Sequence, residues 1–152
     1  LAFPEGRGAP GVVTLPKLVS WTEHSDPGVR YFSGMATYVT QFNAPATRSG
    51  SGRVVIDLGA VKQIAEVRLN GKPVGYAWRP PFQVDVTDAI TAGMNTLEVK
   101  VANLWPNRMI GDKQPGATVR YSSATTDPFE AGSPLLPSGL LGPVRLLQVR
   151  KL

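Results

Sequence analysis

From residue 33 to residue 149 apolar and polar residues tend to alternate with a period of two, the repeat of a strand with one buried face. Residues 34–42 are rich in β-branched and aromatic side chains and stop at Asn43-Ala44-Pro45. Residues 53–58 follow a flexible turn at 49–52 and put Val54, Ile56 and Leu58 on one face. Residues 65–69 turn Ala65, Val67 and Leu69 inward and Glu66 and Arg68 outward. The Asn70-Gly71 that follows is a strong hairpin signal, because a type I′ turn needs positive φ at both central residues. Strands are likewise expected over 74–78, 82–86, 97–101 and 144–149, with Thr87 capping a single helical turn over 87–90. Seven short strands separated mostly by tight turns predict an all-β fold, an antiparallel β-sandwich.

Two stretches depart from this rhythm. Residues 1–18 form an irregular N-terminal segment rich in proline and glycine, leaving 19–152 as the single sandwich domain. Residues 104–143 form a long irregular insertion with no sustained period. A loop of that length inside a domain is usually functional or an interaction surface. The 16 glycines and 14 prolines agree with a turn-rich chain.

Composition removes several chemistries. With no cysteine among 152 residues there is no disulfide framework, thiolate metal site or cysteine nucleophile. One histidine, His24, excludes a multi-histidine metal centre. Its neighbourhood, His24-Ser25-Asp26, ends in Pro27-Gly28 and reads as a polar turn, since catalytic triads are assembled by the fold and not by adjacency. Asp57, Glu66, Asp85 and Glu98 lie on expected strands, with Glu66 and Glu98 on the solvated phase and in no paired-carboxylate spacing. Calcium would have to use turn carbonyls with Asp26, Asp112 or Asp127, in no EF-hand spacing, so no cofactor is implied.

The net charge of +5 comes from 16 Lys+Arg against 11 Asp+Glu. The cations are scattered among acids, apart from Arg150-Lys151, so nucleic acid is not an expected partner. No stretch approaches the roughly 18 apolar residues of a membrane span.

The informative cluster is aromatic and amide-rich. Asn103, Trp105, Asn107, Arg108 and Asp112 follow the strand at 97–101, and Tyr76, Trp78 and Arg79 precede Pro80-Pro81. A flat aromatic suits the C–H face of a sugar, while Asn, Asp and Arg bond hydroxyls in pairs. The same tryptophans would serve equally as core or interdomain anchors.

Several ordered motifs resemble a known family. Ser33-Gly34-Met35-Ala36-Thr37-Tyr38, the hairpin Ile64-Ala65-Glu66-Val67-Arg68-Leu69-Asn70-Gly71-Lys72-Pro73-Val74-Gly75, Pro81-Phe82-Gln83-Val84-Asp85-Val86-Thr87 and Gly93-Met94-Asn95-Thr96-Leu97-Glu98-Val99 resemble the sugar-binding sandwich domains of family 2 glycoside hydrolases. Asn103-Leu104-Trp105-Pro106-Asn107-Arg108-Met109-Ile110-Gly111-Asp112 and the segment 134–146 resemble the C-terminal end of the family 106 α-L-rhamnosidases. The resemblance implies a galactose-binding-like jelly-roll, an ancillary module of a large secreted or periplasmic bacterial enzyme. Its catalytic glutamates and calcium would sit in a separate (β/α)₈ barrel that nothing here matches. Two roles follow. Trp105, Asn107, Arg108, Asp112, Asn103, Tyr76, Trp78 and Arg79 would bind a plant-type glycan, with arginine suiting the uronates of rhamnogalacturonan. Alternatively, the same residues dock the module onto its catalytic domain. No catalytic residue, and no turnover by the chain alone, is expected.

Overall fold

A computed structural model of the chain describes residues 1–45 and 52–150. Its elements in chain order are α1 (Pro27–Arg30), β1 (Met35–Ala44), β2 (Gly52–Asp57), β3 (Ala60–Lys62), β4 (Ile64–Leu69), β5 (Lys72–Ala77), β6 (Gln83–Asp85), β7 (Gly93–Ala102), α2 (Pro106–Gly111), β8 (Gly139–Gly142) and β9 (Arg145–Arg150). They form an antiparallel β-sandwich. One layer is a four-stranded sheet in the order β1-β7-β4-β5, and the facing strands form a three-stranded sheet β6-β2-β9 and the pair β3-β8.

All seven strands read from the alternation are present, each hydrogen-bonded to a neighbouring strand. Ala36 and Tyr38 of β1, Ala65, Val67 and Leu69 of β4, and Leu97, Val99 and Val101 of β7 share one buried cluster with Val54 and Ile56 of β2 and Val84 of β6. The hairpin at Asn70-Gly71 has φ of 52° and 77°, as a type I′ turn requires.

Three local expectations change. β3 and β8 have no counterpart in the alternation. Both are three or four residues long, and they exist through their pairing, Val61 opposite Leu140. The stretch 104–143 contains α2 as well as β8, and α2 opens on Pro106, whose missing N–H and fixed φ suit the first helical position. Thr87 caps no helix. Residues 87–89 form a turn in which the Ala89 and Ile90 amides both donate to the Val86 carbonyl at 2.9 Å. The Thr87 hydroxyl donates to Asp85 Oδ1 at 2.6 Å and accepts from the Val54 amide at 2.9 Å. The turn expected at 49–52 falls, at 49–51, outside the described residues, as does Lys151.

The N-terminal segment is tied to the sheet without being a strand of it. Ala2 and Thr37 exchange both backbone hydrogen bonds, at 2.8 and 2.9 Å, and Phe3 is buried. This contact covers part of the open edge of β1, where unpaired amides would otherwise face solvent. Phe3, Trp21 and Phe32 pack edge-to-face with centroids 4.8–5.8 Å apart. The buried Tyr38 oxygen accepts from the Trp21 indole at 2.6 Å and from the Leu140 amide at 3.0 Å. Burial pushes its phenol above the usual value of 10. Gly139, at φ 93°, passes so close that a Cβ there would lie 2.5 Å from both the Trp21 indole nitrogen and the Tyr38 oxygen. β8 can therefore pair only with glycine at that position.

At the β2–β6 edge, the Thr87 hydroxyl and amide, then Arg53, hold the Asp85 carboxyl down to about 2 from its usual 3.8. A depressed carboxylate stabilises the fold above its unfolded value and loses that contribution as pH falls through its folded value. The melting-temperature deficit of Asp85→Asn is therefore expected to be full at pH 7, to shrink between about pH 4 and pH 2, and to vanish below. A deficit that does not change with pH, followed by differential scanning calorimetry, would remove Asp85 from this role.

Candidate functional site

β7 leaves the sheet at Ala102, and the chain turns through Asn103 into α2. The turn is held by side chains pointing inward. Asn103 accepts from the Gly34 amide at 2.9 Å and donates to the Phe32 carbonyl at 2.9 Å and the Ser138 hydroxyl at 3.1 Å. Asn107 is 1% exposed. Its amide donates to the Leu136 carbonyl at 2.7 Å and to Ser138 Oγ at 2.8 Å, and its oxygen accepts from the Leu136 amide at 2.8 Å.

Arg108 and Asp112 form a buried pair one helical turn apart, Nε to Oδ1 at 2.9 Å. The contact is angled away from hydrogen-bond geometry, so opposite charge holds it. The other carboxylate oxygen of Asp112 accepts from the Tyr121 and Ser122 amides at 3.0 and 2.7 Å and from the Ser122 hydroxyl at 2.6 Å. The Arg108 guanidinium lies 5.0 Å from the Tyr121 ring centre. Four of the eight candidate residues therefore work inside the fold, tying the long insertion to α2 and to the strand ends. Ser20, Ser33 and Ser138 are the buried hydroxyls that complete this network. Nothing in the sequence marks them, since an isolated serine carries no pattern.

The remaining four candidates are outside. Trp105, before α2, is 54% exposed, and Trp78 and Tyr76, at the end of β5, are 63% and 67% exposed. Arg79 lies 5.1 Å over the Trp78 ring. The register of the four-stranded sheet shows how the two groups relate. Ala102 pairs with Met35 on one side and Ile64 on the other. Ala65 pairs with Ala77, so Trp78 continues the row beyond Ile64. The next outward row is Thr37, Lys100, Glu66, Tyr76. Met35, Thr37 and Lys100 also line a groove with Trp105. One end of the open sheet face thus carries an apolar band, Met35–Ala102–Ile64–Trp78, with Trp105 beyond one end and Tyr76 beside the other. Met35 and Ile64 are exposed as well. The charged groups of the adjoining row are Lys100 and Glu66, 3.8 Å apart.

The other candidates disperse. His24 Nδ1 accepts from the Asp26 amide at 3.0 Å, and Asp26 accepts from the Gly28 amide at 2.7 Å, so the segment is polar as expected but caps α1, and Pro27-Gly28 open that helix where the sequence suggested a turn. Asp127 pairs with Lys113 at 3.3 Å, so the three aspartates considered for calcium are each engaged separately. Among the described residues no three metal-ligating acids or histidines converge. Nor is any helix among the described residues long and apolar enough to cross a membrane.

With this geometry in view, the similarities to known proteins are specific. Residues 23–132 match the family described as glycosyl hydrolase 2 galactose-binding domain-like. A Formosa agariphila protein, provisionally named a beta-glucuronidase, is 40% identical over 168 aligned residues, covering 95% of this chain and 14% of that protein. The solved rhamnosidase from Novosphingobium sp. PP1Y superimposes with a TM-score of 0.92 at 44% identity, over 97% of this chain and 14% of that one. The Bifidobacterium dentium beta-glucuronidase complexed with coumarin-3-O-glucuronide matches 66% of this chain and 17% of its own, at 30% identity and a TM-score of 0.52. The chain spans only about a seventh of the length of the first two.

Proposed function

Because this chain belongs to the glycosyl hydrolase 2 galactose-binding-like domain family, we propose that it is a non-catalytic accessory domain that packs its open sheet face against the catalytic domain of a rhamnosidase-like glycoside hydrolase. The observation that carries the reading is the apolar band Met35–Ala102–Ile64–Trp78, an exposed sheet end flanked by Trp105 and Tyr76. Exposed aromatic and aliphatic side chains in contiguous rows are costly in water and are the usual core of an interface. A chain similar over nearly its whole length to one seventh of a rhamnosidase has an occupant for such a face, the remainder of its own polypeptide.

The amide and carboxylate groups that a sugar site would use, on Asn103, Asn107 and Asp112, are already bonded within the fold, and Arg79 covers one face of Trp78. Docking therefore fits the band better than glycan binding. In the same reading the parent enzyme is of the family 106 type, carries this module C-terminal to its barrel, and is secreted or periplasmic, acting on pectic, rhamnose-containing chains.

Calorimetry of the chain with the catalytic remainder of its parent tests this. Association is expected with the unaltered chain and is expected to weaken at least tenfold with Trp78→Ala, the kind of loss seen at an interface hot spot. Any heat from rhamnogalacturonan oligosaccharides should be the same with the unaltered chain and with Trp78→Ala, because the band itself takes no sugar. Tryptophan quenching by those sugars that disappears in Trp78→Ala would replace docking with glycan recognition.

A further inference from the structure

We infer that the recess walled by Arg30 and Arg108 is an anion-binding site for a small acidic saccharide, taking the carboxylate or sulfate ester of its ring. The recess lies between α1 and the start of the long insertion, with a volume of about 460 Å³. That is within the range of about 300–1,000 Å³ typical of small-molecule sites. Tyr31, Tyr121 and Gln114 complete the walls that matter for recognition, and no acidic residue is among those that line it.

Both guanidinium groups are held from behind at Nε. Arg30 Nε donates to the His24 carbonyl at 3.1 Å, and Arg108 Nε faces Asp112. Anchoring at that nitrogen leaves the terminal nitrogens, the pair that binds an oxyanion in a fork, as the groups an incoming anion meets. Asp112 compensates one of the two cations, so the recess keeps a net positive charge. The Arg108 guanidinium carbon lies over the Tyr121 ring, 5.0 Å from its centre, and the tyrosine rings offer apolar surface to a sugar's C–H groups.

The walls are built to close tolerance. A Cβ on Gly28 would meet the Gly8 carbonyl oxygen at 2.0 Å, one on Gly8 would meet the Tyr121 ring at 2.8 Å, and one on Gly111 would meet Tyr31 at 2.4 Å and Arg108 at 2.6 Å. Three segments distant in sequence thus interlock through glycines around the arginines. The site is independent of the apolar band and stands whether or not that band docks.

The test uses the 152-residue chain, isotope-labelled for amide spectra, with sodium glucuronate, glucose 6-sulfate, glucose and inorganic sulfate as probes. An acidic sugar is expected to bind at least tenfold tighter than glucose, more weakly as salt rises, and to shift the amides of Arg30, Gly111, Gln114 and Tyr121. Arg30→Gln should lower that affinity about tenfold with an unchanged melting temperature. Glucuronate or glucose 6-sulfate binding alone keeps the site and identifies which anion it takes. Equal binding of glucose, shifts confined to Trp78 and Trp105, or no response to either acidic sugar would overturn the proposal. Inorganic sulfate binding as tightly as the sugars would overturn its assignment to a saccharide. Should Arg30→Gln unfold, the unaltered chain decides. Shifts centred on Arg30, Gly111, Gln114 and Tyr121 uphold the site, and shifts that leave those four amides in place overturn it.

Discussion

Asp112→Ala is expected to remove about 3–5 kcal/mol of folding stability, the usual cost of breaking a buried ion pair from one side. Arg108 and Asp112 are 7% and 8% exposed and Arg108 Nε is sealed from solvent, so water could not take the place of the carboxylate at that nitrogen. The same substitution frees the Tyr121 amide and both the amide and hydroxyl of Ser122, all of which donate to Asp112 Oδ2. For a domain of this size the loss lowers the melting temperature by roughly 10 °C or more. Urea unfolding followed by tryptophan fluorescence measures it. A double replacement, Arg108→Met with Asp112→Leu, should recover a large part, because two apolar side chains of similar bulk leave no charge behind. Trp105→Ala, at the same end of the fold but 54% exposed, should cost far less. A loss under about 1 kcal/mol for Asp112→Ala, the scale of an exposed pair, would mean that the pair does not hold the insertion.

The second large effect is at Asn107. Asn107→Ala deletes three hydrogen bonds and leaves the Leu136 amide without its acceptor, while the Leu136 carbonyl and the Ser138 hydroxyl keep only each other and Asn103. With a net value near 1 kcal/mol per bond and a further penalty for unpaired buried groups, the expected loss is about 3 kcal/mol. Asn107→Asp is informative beside it. It keeps the acceptor for the Leu136 amide but sets a carboxylate oxygen against the Leu136 carbonyl, so it should be no more stable than the alanine variant. Equilibrium denaturation of both variants checks this. If Asn107→Ala instead kept full stability while abolishing binding of a glycan, the residue would belong to a binding surface and not to the frame.

How much of this could be read from the chain depends on the range of the interactions involved. The hairpin at Asn70-Gly71 is legible because its cause is local, two adjacent residues that tolerate positive φ. β4 is legible because Ala65, Val67 and Leu69 need only a partner face, whichever one arrives. β3 and β8 were out of reach, since three- and four-residue strands contain too few side chains for a period and form only where Val61 meets Leu140 from a distant part of the chain. α2 carried one local signal, Pro106 at its start, but six residues are too short for a helical stripe.

The candidate site divides the same way. The residue types clustered after β7 and β5 identify where polar and aromatic chemistry is concentrated, and the cluster is where the structure places both its tightest internal network and its most exposed tryptophans. Which residue belongs to which was not in the composition. Trp105 and Asn107 are two positions apart, and one faces water while the other is buried, because α2 is held by Ser33, which accepts from the Arg108 amide, and by Ser138 and Leu136 from another segment, which bond Asn107.

The alternation of apolar and polar positions was enough to determine an antiparallel sandwich, its seven principal strands and the inward faces of β2 and β4, since a period of two turns every second side chain the same way whatever lies opposite. Only the tertiary structure decided what the outward phase means. Met35, Ala102 and Ile64 come from three different strands and Trp78 from the end of a fourth, so the apolar band they form exists only in the register between strands. A register is a property of paired segments that neither segment carries alone.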